Sequence, residues 1–535
     1  MAELKNHLRA IPTRYLALLI VALFFPAHFI HLGLAAFNGD EGIRSLVALE
    51  MQLSGNYIAP TMHGAPYINK PPLFNWLLLV FFKLFGYFGE FPARTATVFF
   101  LAIYGWAVFR FTRKEFGREF AVLAAFMTVT SGRFLIYDSM LGLIDTTYSA
   151  LIYTLFMSIS AFGVRGQWLR LFLVSYLLMA LGFLLKGMPS IVFQGLSLTA
   201  GLIWFGQWRR LFSVQHLAGI AVAAAVLGAY LLVYAQYRPL DVLLPNLLNE
   251  STKRTAVVFG FWRTVGHLFQ FPFDSIYHFL PFSLLILAWL DRRLLQRLRQ
   301  NRFIAFQMLM IAVNLPVYWS SVQVYARYLL MFTPLFTVVG FYLMEQDRAV
   351  RSWRYRVFYG ALGVLLTVLP LTFFAFRWVK AVNFLPGILP LSLSFGLALA
   401  VPAFFYFLDP KRYLWWCVVA LLVARIAFDC IVLPARHFQN DTSNARQAVY
   451  DLVKKYPDRA WYVYGDSYMR ECNSFYMTQQ LGYIVPRTRN LNNRNALYLV
   501  NPNEEPLQSL AFQGPPSDTL HTDYREVNIL VYLLH

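Results

Sequence analysis

The chain is poor in charge, in acid and in cysteine. Of its 535 residues only 14% are charged, where a soluble domain carries roughly 25%, and Asp and Glu number 27 against 46 Lys and Arg. So few charges cannot solvate a surface of this size, which excludes a water-soluble globule, and the apolar content excludes disorder, coiled coil and collagen. Three cysteines, with Cys417 and Cys430 inside one apolar stretch, leave no disulfide framework and no cysteine-rich metal site. Tandem repeats and low-complexity tracts are absent as well. What fills the chain is 58% hydrophobic residues, 18% of all residues being aromatic, with mean hydropathy +0.50. Lipid is the solvent for most of it.

The net charge of +19 sits in short clusters between apolar runs, at Arg110 to Arg118, Trp208 to Arg210, Arg292 to Arg302 and Arg348 to Arg356. That is the signature of cytoplasmic loops under the positive-inside rule rather than of a nucleic-acid surface. Segments of about 20 residues that could cross fall near 15–37, 95–112, 118–136, 143–163, 169–186, 188–206, 214–236, 276–291, 303–319, 325–344, 357–376, 387–408 and 414–434. Lys5, Arg9 and Arg14 precede the first run, which is longer than a signal-peptide core and reads as an uncleaved span with its start in the cytoplasm. Counting thirteen crossings backward places the basic loops 409–413, 345–356, 291–302, 207–213, 164–170 and 110–118 on one side.

The apolar stretch Pro72 to Phe88 would break that alternation if it crossed, so we read it as an amphipathic helix along the outer interface. The first outer loop then runs over about 38–94, and the turns at Asp138 and at Lys186 to Pro189, the loop 237–275 and everything after Pro434 also face outward. The expected fold class is a polytopic all-α membrane protein with about thirteen transmembrane helices and a small α/β extracytoplasmic domain. The domains divide as 1–434, membrane-embedded, and 435–535, soluble. In the latter, a helix over Ser443 to Tyr456 precedes strands at Trp461 to Tyr464, Tyr483 to Pro486, Ala496 to Val500 and Val527 to Leu533.

The densest polar cluster lies in the first outer loop. Asp40, Glu41 and Arg44 open a segment whose Ile43, Leu46, Val47 and Met51 recur at helical spacing, implying a short helix flat on the bilayer surface that Gly55 ends. His63, Tyr67 and Lys70 follow, the last immediately before Pro71 and Pro72. Asp40 reads either as an N-cap or as a functional carboxylate, and Lys70 either as marking a helix start or as a binding cation.

The ordered set Asp40-Glu41, Glu50-Met51, Ser54-Gly55-Asn56-Tyr57, Pro60, Gly64, Tyr67 and Lys70-Pro71-Pro72-Leu73 resembles the first outer loop of the GT-C superfamily, in the branch of protein O-mannosyltransferases and lipid A aminoarabinose transferases. The resemblance covers about residues 10–340. It implies a GT-C fold and an enzyme that takes a sugar from a polyprenyl-phosphate carrier and passes it to an acceptor on the outer face. It further implies that Asp40 is the catalytic carboxylate, that Lys70 is a donor-site cation, and that Asp138, within Ile136 to Met140, is the second acidic position. Two departures, Asn69 in place of the usual glutamate and Arg44 where a tyrosine is common, bear on sugar and acceptor identity.

The chemistry suits these residue types independently. Moving a sugar off a lipid phosphate calls for a carboxylate to take the acceptor hydroxyl's proton and for cations to hold the departing phosphate. Asp40, with Glu41 and Asp138, supplies the carboxylates, and Lys70, Lys186, Arg44 and Arg327 the cations. Asp145, at the start of a membrane helix, is a costly position that is usually functional; alternatively, Asp138 or Asp145 simply pairs with Arg94 or Arg133. Lys186 contacts phosphate or snorkels to headgroups, and Arg327 and Tyr328, with Tyr325, form either a substrate wall or an aromatic belt. Tyr67, His63, Asp145, Tyr328 and Arg254 complete the substrate-binding candidates, Arg254 lying in a loop that could close over the lipid donor. No cofactor is expected; a divalent metal at Asp40, Glu41 and His63 stays open but has no recognisable ligand spacing. The expected partners are a polyprenyl-phosphate sugar, a lipid, glycan or protein acceptor and membrane lipid, with no nucleic acid. The resemblance also implies a bacterial inner membrane as the setting, with the site on its periplasmic face. The rival reading is a transporter or lipid flippase gated by the same charges, against which stand the absence of half-repeats and the gathering of charge on one face.

Overall fold

A computed structural model describes residues 12–252, 260–439, 441–505, 514–520 and 528–533. Among these residues nine helices are long and apolar enough to cross a membrane. One of them, Glu90–Val129, spans 40 residues and is not straight: Gly117, at φ 80° and ψ −178°, breaks it. A Cβ on Gly105 would lie 3.2 Å from Val129 Cγ1, whereas 24 helical residues would separate the two by about 36 Å. The chain therefore doubles back at Gly117, and the helix supplies two of the expected crossings. Thr13–Phe29 and Pro189–Trp204 are shorter apolar helices. The expected crossing at 276–291 is corrected in kind: the helix Phe261–His278 ends ahead of Pro281, and Phe282–Leu290 forms a 3-10 run. Proline cannot donate into an α-helix, and the steeper rise of a 3-10 helix carries nine residues about 18 Å. The loop expected at 237–275 is itself largely helical, with Leu240–Thr252 and Phe261–His278.

The six basic loops meet at one end. Arg297 and Arg354 bridge Asp291 and Asp347, Arg348 donates to the carbonyl of Lys411, Arg210 lies 4.9 Å from the Trp168 ring, and one cavity is lined by residues from 103–115, 154–165 and 300–306. The parity argument thus holds for which loops share a side.

At the other end, Leu73–Phe85 runs 13 residues from Pro72 to Gly86, whose φ of 76° closes it. At about 20 Å it falls short of the roughly 30 Å hydrocarbon core. The helix Asp40–Ser54 starts after Gly39 and ends at Gly55 in the left-handed conformation. Every residue from Glu41 to Met51 except Ile43 is buried, so that stretch of the helix is covered by protein and leaves no polar face to water. Its cover comes from far along the chain: the helix Glu471–Leu481 packs on it so closely that a Cβ on Gly42 would stand 3.0 Å from the backbone nitrogen of Cys472.

That second helix belongs to the C-terminal α/β unit. Its sheet runs in the order Arg487–Thr488, Ala460–Tyr464, Ala496–Val500, Ile529–Leu533, Asp518–Leu520. The first three strands are parallel and the last two antiparallel to their neighbours, with Trp461 opposite Leu497 and Leu499 opposite Val531. Ala496–Val500 is buried along its whole length, which its unbroken apolar run predicts for a strand covered on both faces. The strand expected at Tyr483 to Pro486 starts instead at Arg487, since Pro486 can accept from Val463 but has no N–H to donate. The last membrane helix continues through a π-helical turn to Gln439, past the division expected at 434.

Candidate active site

Four elements deliver charge to one point at the capped end. Asp40 opens Asp40–Ser54, Asp145 sits in the first turn of Ile144–Val164, Lys186 ends Trp168–Lys186, and Arg327 lies in the 3-10 turn Ala326–Phe332. Arg327 joins the two acids: its Nη2 is 2.6 Å from Asp40 Oδ2 and its Nε 3.6 Å from Asp145 Oδ2. Lys186 Nζ lies 2.5 Å from the other oxygen of Asp145 and 4.0 Å from the Tyr328 ring. Lys70 is near enough for its charge to act on Asp145, and Asp138 near enough to act on both Asp145 and Arg327. Asp145 and Lys186 are each 9% exposed at the side chain and Arg327 17%, but Asp40 is 45% exposed. Asp40 is therefore the member of the network that a reactant can reach.

Asp138 is buried and bound by Arg133, whose Nε lies 2.7 Å from Oδ2. Burial pushes its carboxyl up to about 6, against the pull of Arg133. Tyr67 is buried, and its hydroxyl accepts from Arg44 Nη1 at 2.7 Å. Arg44, expected as a phosphate cation, is itself 6% exposed and stacked 5.5 Å over that ring. It shapes the wall beside Asp40, whose charge also reaches Tyr67.

Two candidates are directed elsewhere. Glu41 is fully buried; Arg94 donates to both its oxygens at 2.8 and 3.1 Å, and the backbone N–H groups of Asn38 and Gly142 add bonds of 2.8 Å each. A carboxylate so saturated ties the loop to the bundle and offers no oxygen to a substrate. His63 is a turn residue: with φ 55° beside Gly64 at φ 69°, it forms the two-residue loop of the hairpin Thr61–Met62 and Ala65–Pro66, the geometry in which glycine at the second position is favoured. Its ring contacts Val485 O at 3.1 Å and Ser474 Oγ at 3.0 Å, and burial lowers its pKa to about 4. Asp40, Glu41 and His63 thus face three different sets of partners and do not converge as metal ligands, and among the described residues no group of three or more His, Cys, Asp or Glu does. Arg254 lies outside the described residues.

The overall architecture matches ArnT from Cupriavidus metallidurans bound to undecaprenyl phosphate at a TM-score of 0.69 and 17% identity, covering 97% of this chain and 98% of that one. That likeness is one of fold. Residues 69–234 match the family described as dolichyl-phosphate-mannose-protein mannosyltransferase. An undecaprenyl phosphate-alpha-4-amino-4-deoxy-L-arabinose arabinosyl transferase of Proteus mirabilis is 24% identical over 238 residues, 43% of this chain and 42% of that protein. A relative of the same description from Shewanella sediminis is 26% identical over 33% of this chain and 34% of its own length. The chain thus spans less than half the length of these curated relatives.

Within this fold, sequence reasoning missed the supports of the loop. Glu50 accepts from Thr61 Oγ1 at 2.7 Å and from the N–H groups of His63 and Gly64, and burial raises its pKa. Asn75 donates to Arg44 O at 2.8 Å, and Glu90 holds both Tyr476 and Arg446. The His-Gly turn signal was readable; the partners of Glu90, more than 350 residues away, carried no local signal.

Proposed function

We propose that this protein is a membrane glycosyltransferase that moves a sugar from a polyprenyl-phosphate donor to an acceptor at the outer, periplasmic face of a bacterial inner membrane. The observation that carries the reading is the half-exposed Asp40 held by Arg327 beside Asp145, Lys186 and Lys70. In this reading the acceptor hydroxyl attacks the anomeric carbon from the side opposite the phosphate, Asp40 takes its proton, and the departing bond's electrons go to the phosphate. Arg327, Lys186 and Lys70 stabilise the charge that develops there, and one in-line displacement inverts the configuration. If the acceptor is itself a phosphate, no base is needed, and Asp40 orients Arg327 instead. An apolar cavity of about 250 Å³, lined by Phe282, Trp289, Trp319, Leu329 and Phe336, begins two residues from Arg327 and suits an isoprenoid chain. The curated relatives named for aminoarabinose transfer and the ArnT structure with undecaprenyl phosphate support a prenyl-phosphate donor. Against a gated transporter stand Tyr148, Ile152, Tyr153 and Phe156, all fully buried between this cluster and the opposite end.

The test is transfer from a prenyl-phosphate sugar in proteoliposomes, with products identified by mass spectrometry. Asp40→Asn should lower the rate about a hundredfold or more, as loss of a general base does, with donor binding retained. Lys70→Ala should weaken donor binding. An Asp40→Asn enzyme retaining more than a tenth of the rate removes Asp40 from the chemistry.

A further inference from the structure

The cavity at the opposite end of the bundle takes no part in the proposed reaction. It encloses about 810 Å³ between the first leg of Glu90–Val129, the end of Ile144–Val164 and the start of Arg302–Trp319. The 21 residues from Ile144 to Val164 place it about 30 Å from Asp145. Arg110, Lys114, Arg165 and Arg302 line it, with Glu115 as the single acidic residue on its wall among the described residues. Lys114 is close enough to Arg165 and Arg110 for their charges to repel.

The contrast with neighbouring cations is informative. At the same end Arg297, Arg348, Arg354 and Arg412 are all ion-paired with carboxylates of their own loops. None of the four cavity cations is ion-paired among the described residues. All four are exposed, so water and salt screen part of their repulsion; gathered around one space, beside the positive end of a helix dipole at Arg302, they still set a positive potential that draws an anion. The rim identifies what kind of anion. Ile103, Trp106, Val164 and Trp204 line the same cavity and are 38%, 62%, 74% and 36% exposed, so the space opens sideways into hydrocarbon, with tryptophans at the depth where they anchor to headgroups.

We propose that this cavity binds an anionic phospholipid, its phosphate between Arg110, Lys114, Arg165 and Arg302 and its acyl chains along Ile103, Trp106 and Trp204. Basic pockets between membrane helices recognise such headgroups. The site is distinct from the donor site in location and chemistry, and it stands whether or not the proposed transfer reaction does.

The experiment uses the full-length protein in detergent with defined lipids. Native mass spectrometry should show phosphatidylglycerol retained over phosphatidylethanolamine, and the variant Arg110→Gln/Arg165→Gln/Arg302→Gln should lose that preference, weakening phosphatidylglycerol binding at least about tenfold. The control Arg292→Gln/Arg299→Gln, with cations outside the cavity, should keep it. A photoreactive phosphatidylglycerol added to the unaltered protein should crosslink within 103–115, 154–165 or 300–306, a readout that does not depend on any variant folding. Crosslinks confined to other segments, equal retention of the two lipids, or thermal protection by inorganic phosphate equal to that by phosphatidylglycerol each overturn the assignment.

Discussion

Glu41 is fully buried, and Arg94 beside it donates to the carbonyls of Leu32, Ala35 and Ala36 as well as to the carboxylate. Removing one partner of such a pair strands the other, at about 3–5 kcal/mol. Arg94→Met should therefore lower the thermal unfolding midpoint in detergent more than Glu41→Gln, which keeps the shape and an acceptor. Equal, small effects would show that the pair is not what holds the loop. Asp138 yields a second residue-scale prediction. Its pKa of about 6 against an ordinary 3.8 means that the folded protein binds more protons than the unfolded one between those values. Its contribution to stability is then complete below about pH 4 and is lost as pH rises through about 6. The stability of Asp138→Asn relative to the unaltered protein should rise across that window and level off above it, measured as the difference in unfolding midpoints. A difference independent of pH would mean that Arg133 holds Asp138 ionised throughout.

At the scale of elements, the hairpin Glu90–Val129 depends on one residue. Gly117 has φ 80° with nothing within 4 Å of where a Cβ would be, so space is not the constraint; backbone conformation is. With ψ at −178° that region is open essentially to glycine alone, any side chain there costs about 1–3 kcal/mol, and Gly117→Val should lower the yield of folded protein and the unfolding midpoint by that order, with Gly117→Asn no exception. The reversal was legible as two apolar runs around the basic cluster Arg110 to Arg118. The dihedral angles of Gly117 were not, because they are set by how the two legs pack on each other, as at Gly105 and Val129. The 3-10 run Phe282–Leu290 was illegible for a related reason: hydropathy registers apolar length but not rise per residue.

Across the whole molecule, the C-terminal unit clamps the loop that presents Asp40. Tyr476 accepts from Phe37 N at 2.8 Å and donates to Glu90 at 2.5 Å, Gln479 donates to Phe88 O, and Arg487 N donates to His63 O at 3.0 Å. Gly42→Leu has no room against Glu471 and Cys472, so it should loosen the clamp and lower transfer, with faster proteolysis within 440–470 as the accompanying sign. Unchanged proteolysis and activity would separate the C-terminal unit from the site. By itself, the sequence determined the membrane solvent, the side shared by the basic loops and the polar residues that had to be explained, because each follows from composition and from spacing along the chain. Long-range packing settled which of those residues stay open and which are sealed by partners. By residue type Asp40 and Glu41 are equivalent neighbours, and the positions of Arg327, Arg94 and Gly142, brought in from distant segments, leave one carboxylate open and bury the other. Burial and ion pairing depend on long-range packing, which no local pattern encodes.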